Sequence, residues 1–308
     1  MIEPLRDLLR NWNVDPSFTH TLHLHPNVTM VEASRQTFYL KKREHSKVGN
    51  LMEELYVTSY LLENGLLVES PLLSSWSNQP FVQEGEHLYS LYEALEGFPL
   101  QEYSLSSLTN AGAYLSSLHE LLDKYHCQND IAVWDIERHI REWVLEFDHT
   151  QLGTWGRGVL DRVEGWETIY TCLPQQLVHS DCNAGNIMMK EEEVVGIIDF
   201  ERMRIAPRVA DIGYFLAGML KNKIKEDREH SFRCINGFLR GYERSGPLSS
   251  EEKQLLPSMV LIFLLQYAFH HLQNGDSEVG SACLPFIDEL IDSADFDRVF
   301  QNEKEMLE

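Results

Sequence analysis

The chain has 308 residues, and its 26 basic side chains against 48 acidic ones give a formal net charge of −22. At about 150 residues per domain, that length suits one large domain or two lobes. The charge has the wrong sign for coating nucleic-acid phosphates or docking on anionic lipid, and it favours a cationic small molecule as partner.

The first hundred residues read as strands with one helix. Thr19 to His25 alternates, Asn27 to Glu32 forms a second strand, and the turn Ala33-Ser34-Arg35-Gln36 feeds a third over Thr37 to Lys41. A helix follows from about Asn50 to Asn64, with Gly65 placed for a left-handed C-terminal cap. Phe81-Val82-Gln83 and His87 to Tyr92 flank Glu84-Gly85-Glu86, as in a hairpin. From Ser104 the period becomes helical, with Leu105, Leu108, Ala111, Leu115, Leu118 and Leu122 on one stripe. Further helices are expected over 133–148, 209–222, 230–244 and 250–272. In the last of these, Ser249 and Glu252 have capping-box spacing. Its apolar run, Met259 to Phe269, is shorter than the ~20 residues of a spanning helix. The start of the chain lacks the apolar core of a secretory signal. The five cysteines, Cys127, Cys172, Cys182, Cys234 and Cys283, form no CxxC pair, which fits a reducing cytoplasm. The pattern is an α+β chain: a β-rich lobe over 1–97, then a mostly helical lobe over 98–308, with the boundary near Gly97.

An island from Gln176 to Phe200 interrupts the helices. It begins Leu177-Val178-His179-Ser180-Asp181-Cys182-Asn183-Ala184-Gly185-Asn186. Two strand-like runs follow, Ile187 to Lys190 and Val194 to Ile198, and then Asp199-Phe200. Two carboxylates and an amide therefore stand at the two mouths of one hairpin. Moving a phosphoryl group onto an alcohol needs such parts: one carboxylate to orient the hydroxyl, and a second carboxylate with an amide oxygen to hold Mg²⁺. Hard oxygen ligands suit magnesium, and no His/Cys set competes for it.

His-x-Asp-x-x-x-x-Asn followed by a hairpin and Asp-Phe resembles the aminoglycoside phosphotransferase/choline kinase superfamily, a branch of the protein-kinase-like fold. The likeness extends over about residues 18–272. It implies a bilobal fold, ATP and Mg²⁺ as cofactors, and Asp181 as the hydroxyl-orienting carboxylate. By the same likeness Asn186 and Asp199 are metal ligands, and His179 and Asp211 support the loop, Asp211 through backbone amides. Phe38-Tyr39-Leu40-Lys41 is similar to the family's phosphate-binding lysine strand, and its lysine pairs with an acid on the next helix. At 100° per residue, Glu54 borders the apolar face of that helix while Glu53 points away, which favours Glu54. Tyr92-Glu93-Ala94-Leu95-Glu96-Gly97 looks like the hinge, with backbone groups of Glu93 to Leu95 meeting the adenine. His119 reads as a core histidine.

Departures from the family pattern are Ser180 for a frequent glycine, Cys182 for leucine, and Glu201 after Asp-Phe. No glycine occurs between Met1 and Arg43, so the glycine-rich phosphate cover is missing, leaving only amides around His25 to Asn27 for that task. The reading is therefore a kinase of a small-molecule alcohol, aminoglycoside-like or an amino alcohol, with no nucleic-acid or membrane partner. Glu201, Tyr267, His270 and the acids of 288–297 are candidate substrate walls. A homoserine-kinase-like enzyme and a stress-type protein Ser/Thr kinase are the enzymatic alternatives. An inactive nucleotide-binding scaffold of spore-coat type is the alternative of another class.

Overall fold

Period-two alternation along the first ninety residues produces an antiparallel sheet of five strands. These are β1 (His20–His25), β2 (Val28–Ala33), β3 (Gln36–Glu44), β4 (Val82–Glu84) and β5 (His87–Glu93), in the order β1-β2-β3-β5-β4. The computed structural model describes residues 2–14, 20–33, 36–222, 228–275 and 277–301. The expected turn at 33–36 falls partly outside them, but Ala33 pairs with Gln36 as that turn requires.

Strand β3 has two chemically distinct faces, because successive side chains point to opposite sides. Phe38 and Leu40 are buried with Leu8, Leu9 and Trp12 from the N-terminal helix α1 (Ile2–Leu9) and the short 3₁₀ turn after it. Lys41 and Arg43 lie on the opposite face, toward the helix α2 (Val48–Glu63). Helix α2 ends as the sequence suggests. Gly65 takes φ +83°, its N–H donates to Leu62 O at 3.0 Å, and Leu66 N–H donates to Leu61 O at 2.9 Å.

The helical part comprises α3 (Leu105–Lys124), α4 (Ile136–Glu146), α5 (Gln151–Arg162), α6 (Trp166–Cys172), α7 (Val209–Asn222), α8 (Arg228–Tyr242), α9 (Ser250–Gln273), α10 (Ser277–Ile291) and α11 (Ala294–Phe300). The helix expected over 133–148 is shorter, since Val133 bridges Ile205 and Asp135 caps α4 through Arg138 N at 3.1 Å. Helices α5 and α6 were not legible in the sequence: Gly153, Gly156 and Gly158 dilute the apolar period of α5. Ser249 and Glu252 do form a capping box at the start of α9.

The apolar run expected to be too short to span a bilayer continues into the 24 residues of α9. Among the described residues, α9 is the one helix long and apolar enough to cross a membrane, and 61% of its apolar window is buried inside the protein. It packs against α7 and α10.

Two short sheets sit at the junction. β6 (Phe98–Pro99), β8 (Ile187–Lys190) and β9 (Glu193–Ile197) form one, and β7 (Gln176–Val178) pairs with β10 (Arg204–Ala206) in the other. The β8–β9 hairpin pairs Ile187 with Ile197, and Ile198 N–H donates to Asn186 O at 2.9 Å. That register sets the backbone of Asn186 beside the residue preceding Asp199.

Candidate active site

The loop leaving β7 is held from beneath by one buried carboxylate. Asp211, at the start of α7, accepts His179 N–H through Oδ2 and Ser180 N–H through Oδ1, both at 2.8 Å. His119 Nε2 lies 3.1 Å from the same Oδ2, and its Nδ1 lies 2.7 Å from the Tyr242 hydroxyl. The core histidine therefore belongs to the support of the loop. His179 Nε2 donates to Ile198 O at 2.9 Å, tying the two mouths of the hairpin together. Ser180 at φ +58° and Asp199 at φ +72° occupy the left-handed region, which explains why a glycine would be at ease at position 180. The Ser180 hydroxyl donates to Arg202 O.

Asp181 Oδ1 accepts from Asn183 Nδ2 and from the Tyr214 hydroxyl, each at 3.1 Å. Arg202 Nε stands 3.9 Å from Oδ2. Burial pushes the Asp181 carboxyl above its usual range, with Arg202, His179 and Tyr214 pulling it part of the way back. Asn186 Nδ2 donates to Asp181 O at 2.9 Å, which leaves its Oδ1 without a protein donor among the described residues. Asp199 offers Oδ1 to Lys41 Nζ at 3.1 Å, and its Oδ2 has no protein donor among the described residues. An amide oxygen and a carboxylate oxygen left open on adjoining backbone suit a hard divalent cation.

The lysine–acid pair is not the expected one. Lys41 Nζ reaches Glu69 Oε2 at 3.0 Å as well as Asp199, and it lies 4.5 Å from the centre of the Tyr92 ring. Glu54 instead accepts from Arg43 Nη1 and from the Tyr92 hydroxyl, both at 2.8 Å. The reason is local: Lys41 and Arg43 share one face of β3, and Arg43 is the cation that meets Glu54 on α2. Lys41 is left to Glu69, which the bridge between Val68 and Ile197 lays beside β9. Glu69 also accepts Asp199 N–H at 3.3 Å. Burial alone would lower Lys41 and raise Asp199. The mutual attraction of the cluster reverses both, so Lys41 sits above its usual value and Asp199 below.

Glu53 likewise departs from expectation. Instead of pointing away it is fully buried, accepting the Tyr125 hydroxyl at 2.9 Å, Asn129 N–H at 2.8 Å and Asn129 Nδ2 at 2.7 Å. Helix α2 is covered on two sides, by the sheet and by the segment after α3, so a single apolar stripe misjudged its outer face.

A cleft of about 520 Å³ opens at this cluster, with Lys41, Asp199 and Glu201 in its wall. His25 and Asn27 overhang it, but Pro26 has no N–H and Asn27 N–H faces His25 Nδ1 at 3.4 Å. The turn is therefore poor in free amides. At the crossing between lobes, Glu93 pairs with Phe38, Ala94 N–H donates to Thr37 O at 2.9 Å, and Leu95 packs against Gly196.

The structure separates the candidate substrate residues. Glu201 accepts from Arg43 Nε at 3.2 Å. The Tyr267 ring lies 5.4 Å from that of Tyr214, one residue removed from Asp181. His270 is exposed beside Asn274. Of the tail acids, Asp288 on α10 accepts from Trp155 Nε1 on α5 at 3.0 Å, and Asp295 pairs with Arg298 of its own helix at 3.4 Å, so both already have structural partners.

Residues 24–251 match the model of the phosphotransferase enzyme family. The chain belongs to that family. Solved structures agree on its fold, which is α+β, bilobal and protein-kinase-like. An amicoumacin kinase in complex with AMP-PNP, Ca²⁺ and Ami superposes with a TM-score of 0.76 at 16% identity, covering 96% of each chain. A microcompartment-associated aminopropanol kinase gives 0.75 at 15%, covering 97% of this chain and 100% of that one. An aminoglycoside phosphotransferase from Alicyclobacillus acidocaldarius gives 0.70 at 16%, covering 98% and 96%. The protein is thus a phosphotransferase by family.

In this phosphotransferase, Glu69, Arg43 and Tyr214 were missed from the sequence. Arg43 carried a signal in its two-residue offset from Lys41. Glu69 carried a weaker one, as a lone acid ending the apolar run Leu66-Leu67-Val68.

Proposed function

We propose that this phosphotransferase moves the γ-phosphoryl group of ATP to a hydroxyl of a small molecule, with Asp181 orienting the acceptor and Asn186 and Asp199 holding Mg²⁺. The observation that carries the reading is the hairpin register. It brings the Asn186 amide and the Asp199 carboxylate onto adjoining backbone, with open oxygens on both, while Lys41 is anchored beside them. Asn186 and Asp199 would hold Mg²⁺, whose charge would offset that of the phosphates.

Each group in the chain then has a definable task. Lys41, kept cationic by Glu69 and Asp199, faces the α- and β-phosphates. Asp181 has one oxygen fixed by Asn183 and Tyr214, so the other is presented in a set direction to the acceptor hydroxyl. Its raised pKa makes it a better proton acceptor than an exposed carboxylate. The transition state for phosphoryl transfer is loose, so placement and electrostatics supply most of the rate. Backbone groups of Glu93 to Leu95 are assigned to the adenine.

Replacing Asp181 by Asn tests the assignment. The variant keeps the shape and the bond to Tyr214 but loses the charge. We expect ADP release with a panel of alcohols to fall by about 10²–10⁴-fold, while thermal stabilisation by Mg-ATP persists. Unchanged turnover would refute the role of Asp181. Stabilisation by Mg-ATP with no turnover on any alcohol in the wild type would favour a scaffold, and label transfer to polypeptide would favour a protein kinase.

A further inference from the structure

Charge along the cleft opposes that of the chain as a whole. Its wall holds six Lys and Arg side chains against four Asp and Glu, in a protein with 26 against 48. The inner cations are matched, Lys41 by Glu69 and Asp199, and Arg43 by Glu54 and Glu201. Arg204 has no such partner among the described residues, and Arg202 has only a loose one. Arg204 is half-buried, and its Nη1 donates to the carbonyls of Arg202 at 3.2 Å and Met203 at 3.0 Å. No carboxylate pairs with it among the described residues. Arg202 is exposed, and its nearest acid is Asp181 at 3.9 Å. Burial, and then the adjacent Arg202 charge, hold Arg204 below its usual value. Two cations crowded together and partly desolvated are costly until an anion joins them.

We propose that Arg202 and Arg204 form an anchoring subsite for an anionic group, carboxylate or phosphate, carried by the acceptor alcohol. This rests on the kinase reading above. The acceptor is favoured over the nucleotide because Arg202 reaches Asp181, the residue that takes the acceptor hydroxyl, while the triphosphate is met by Lys41 at Asp199. A cationic acceptor finds little here, since Glu201 is already held by Arg43 at 3.2 Å. The preference drawn from overall charge is reversed at the site.

Four acceptors that share one alcohol and differ in pendant charge read this directly: aminopropanediol, glycerol, glycerate and glycerol phosphate. Each is titrated by calorimetry into protein saturated with Mg-AMP-PNP. We expect the two anions to bind at least about tenfold more tightly than the other two, a difference lost in Arg202→Gln and Arg204→Gln and partly kept in Arg204→Lys. Arg202 is exposed, so its variant tests the idea even where Arg204→Gln unfolds. Equal or tighter binding of aminopropanediol would overturn the proposal. So would anion binding indifferent to both Gln variants, or no binding with Kd below about 10 mM. Expulsion of glycerol phosphate by Mg-AMP-PNP would assign the arginines to the triphosphate instead. Failure of Mg-AMP-PNP itself to bind would refute the kinase reading alone; inorganic phosphate titrated into the free protein and its Gln variants then reads the arginine pair.

Discussion

Lys41, Glu69 and Asp199 form a chain of alternating charge whose members depend on one another, whereas Glu54 belongs to a separate pair with Arg43. The two acids should therefore fail differently. Glu69→Gln removes one charge-assisted contact to Lys41, and we expect KM for ATP to rise about tenfold. Glu54→Ala leaves the buried Arg43 with Glu201 alone and should instead cost about 1.5–3 kcal/mol of stability in denaturant unfolding. Similar nucleotide defects in both variants would return Glu54 to the lysine. Asp181 adds a pH dependence with a definite sign. In the proposed role its carboxylate is the active form, and burial raises its pKa, so kcat/KM should fall with decreasing pH at a value above the ordinary carboxylate's ~3.9. Tyr214→Phe removes a donor to that carboxylate and should move the acid limb higher still. A limb that stays put would separate Tyr214 from Asp181.

The contact between helices α3 and α8 depends on two glycines. A β-carbon on Gly241 would stand 1.9 Å from Thr109 O, and one on Gly112 would stand 2.0 Å from Phe238 O. Helix propensity alone makes alanine better than glycine by about 1 kcal/mol. Here Gly241→Ala should instead lose about 1–3 kcal/mol or more through overpacking, measured by urea unfolding. At Gly158 in α5, where nothing lies within 4 Å of such a carbon, the same change should stabilise. Opposite signs at the two sites are the expected result, and matching signs would contradict the packing. Legibility at this scale followed local periodicity: α7 has the range that its pattern suggests, while α5 was hidden by its glycines.

Across the molecule, α2 is tied to the helical part by Glu53 as well as by the sheet, and Lys41 and Arg43 each bond a residue of the 199–201 turn. The Gln176 to Phe200 island was readable in the sequence because its chemistry is contiguous and its hairpin fixes the geometry. Glu69 and the Glu53 anchor were not, because each acts through a partner far along the chain, Lys41 and Asp199 for one and the 125–129 segment for the other. The most direct check on the whole arrangement is calorimetric titration of ATP, with and without Mg²⁺, into the wild type and Asp199→Ala. We expect Mg²⁺ to tighten binding to the wild type by about tenfold or more and to have no such effect on the variant. Wild-type affinity indifferent to Mg²⁺, or a variant that responds to it as the wild type does, would contradict the metal-holding role of Asp199.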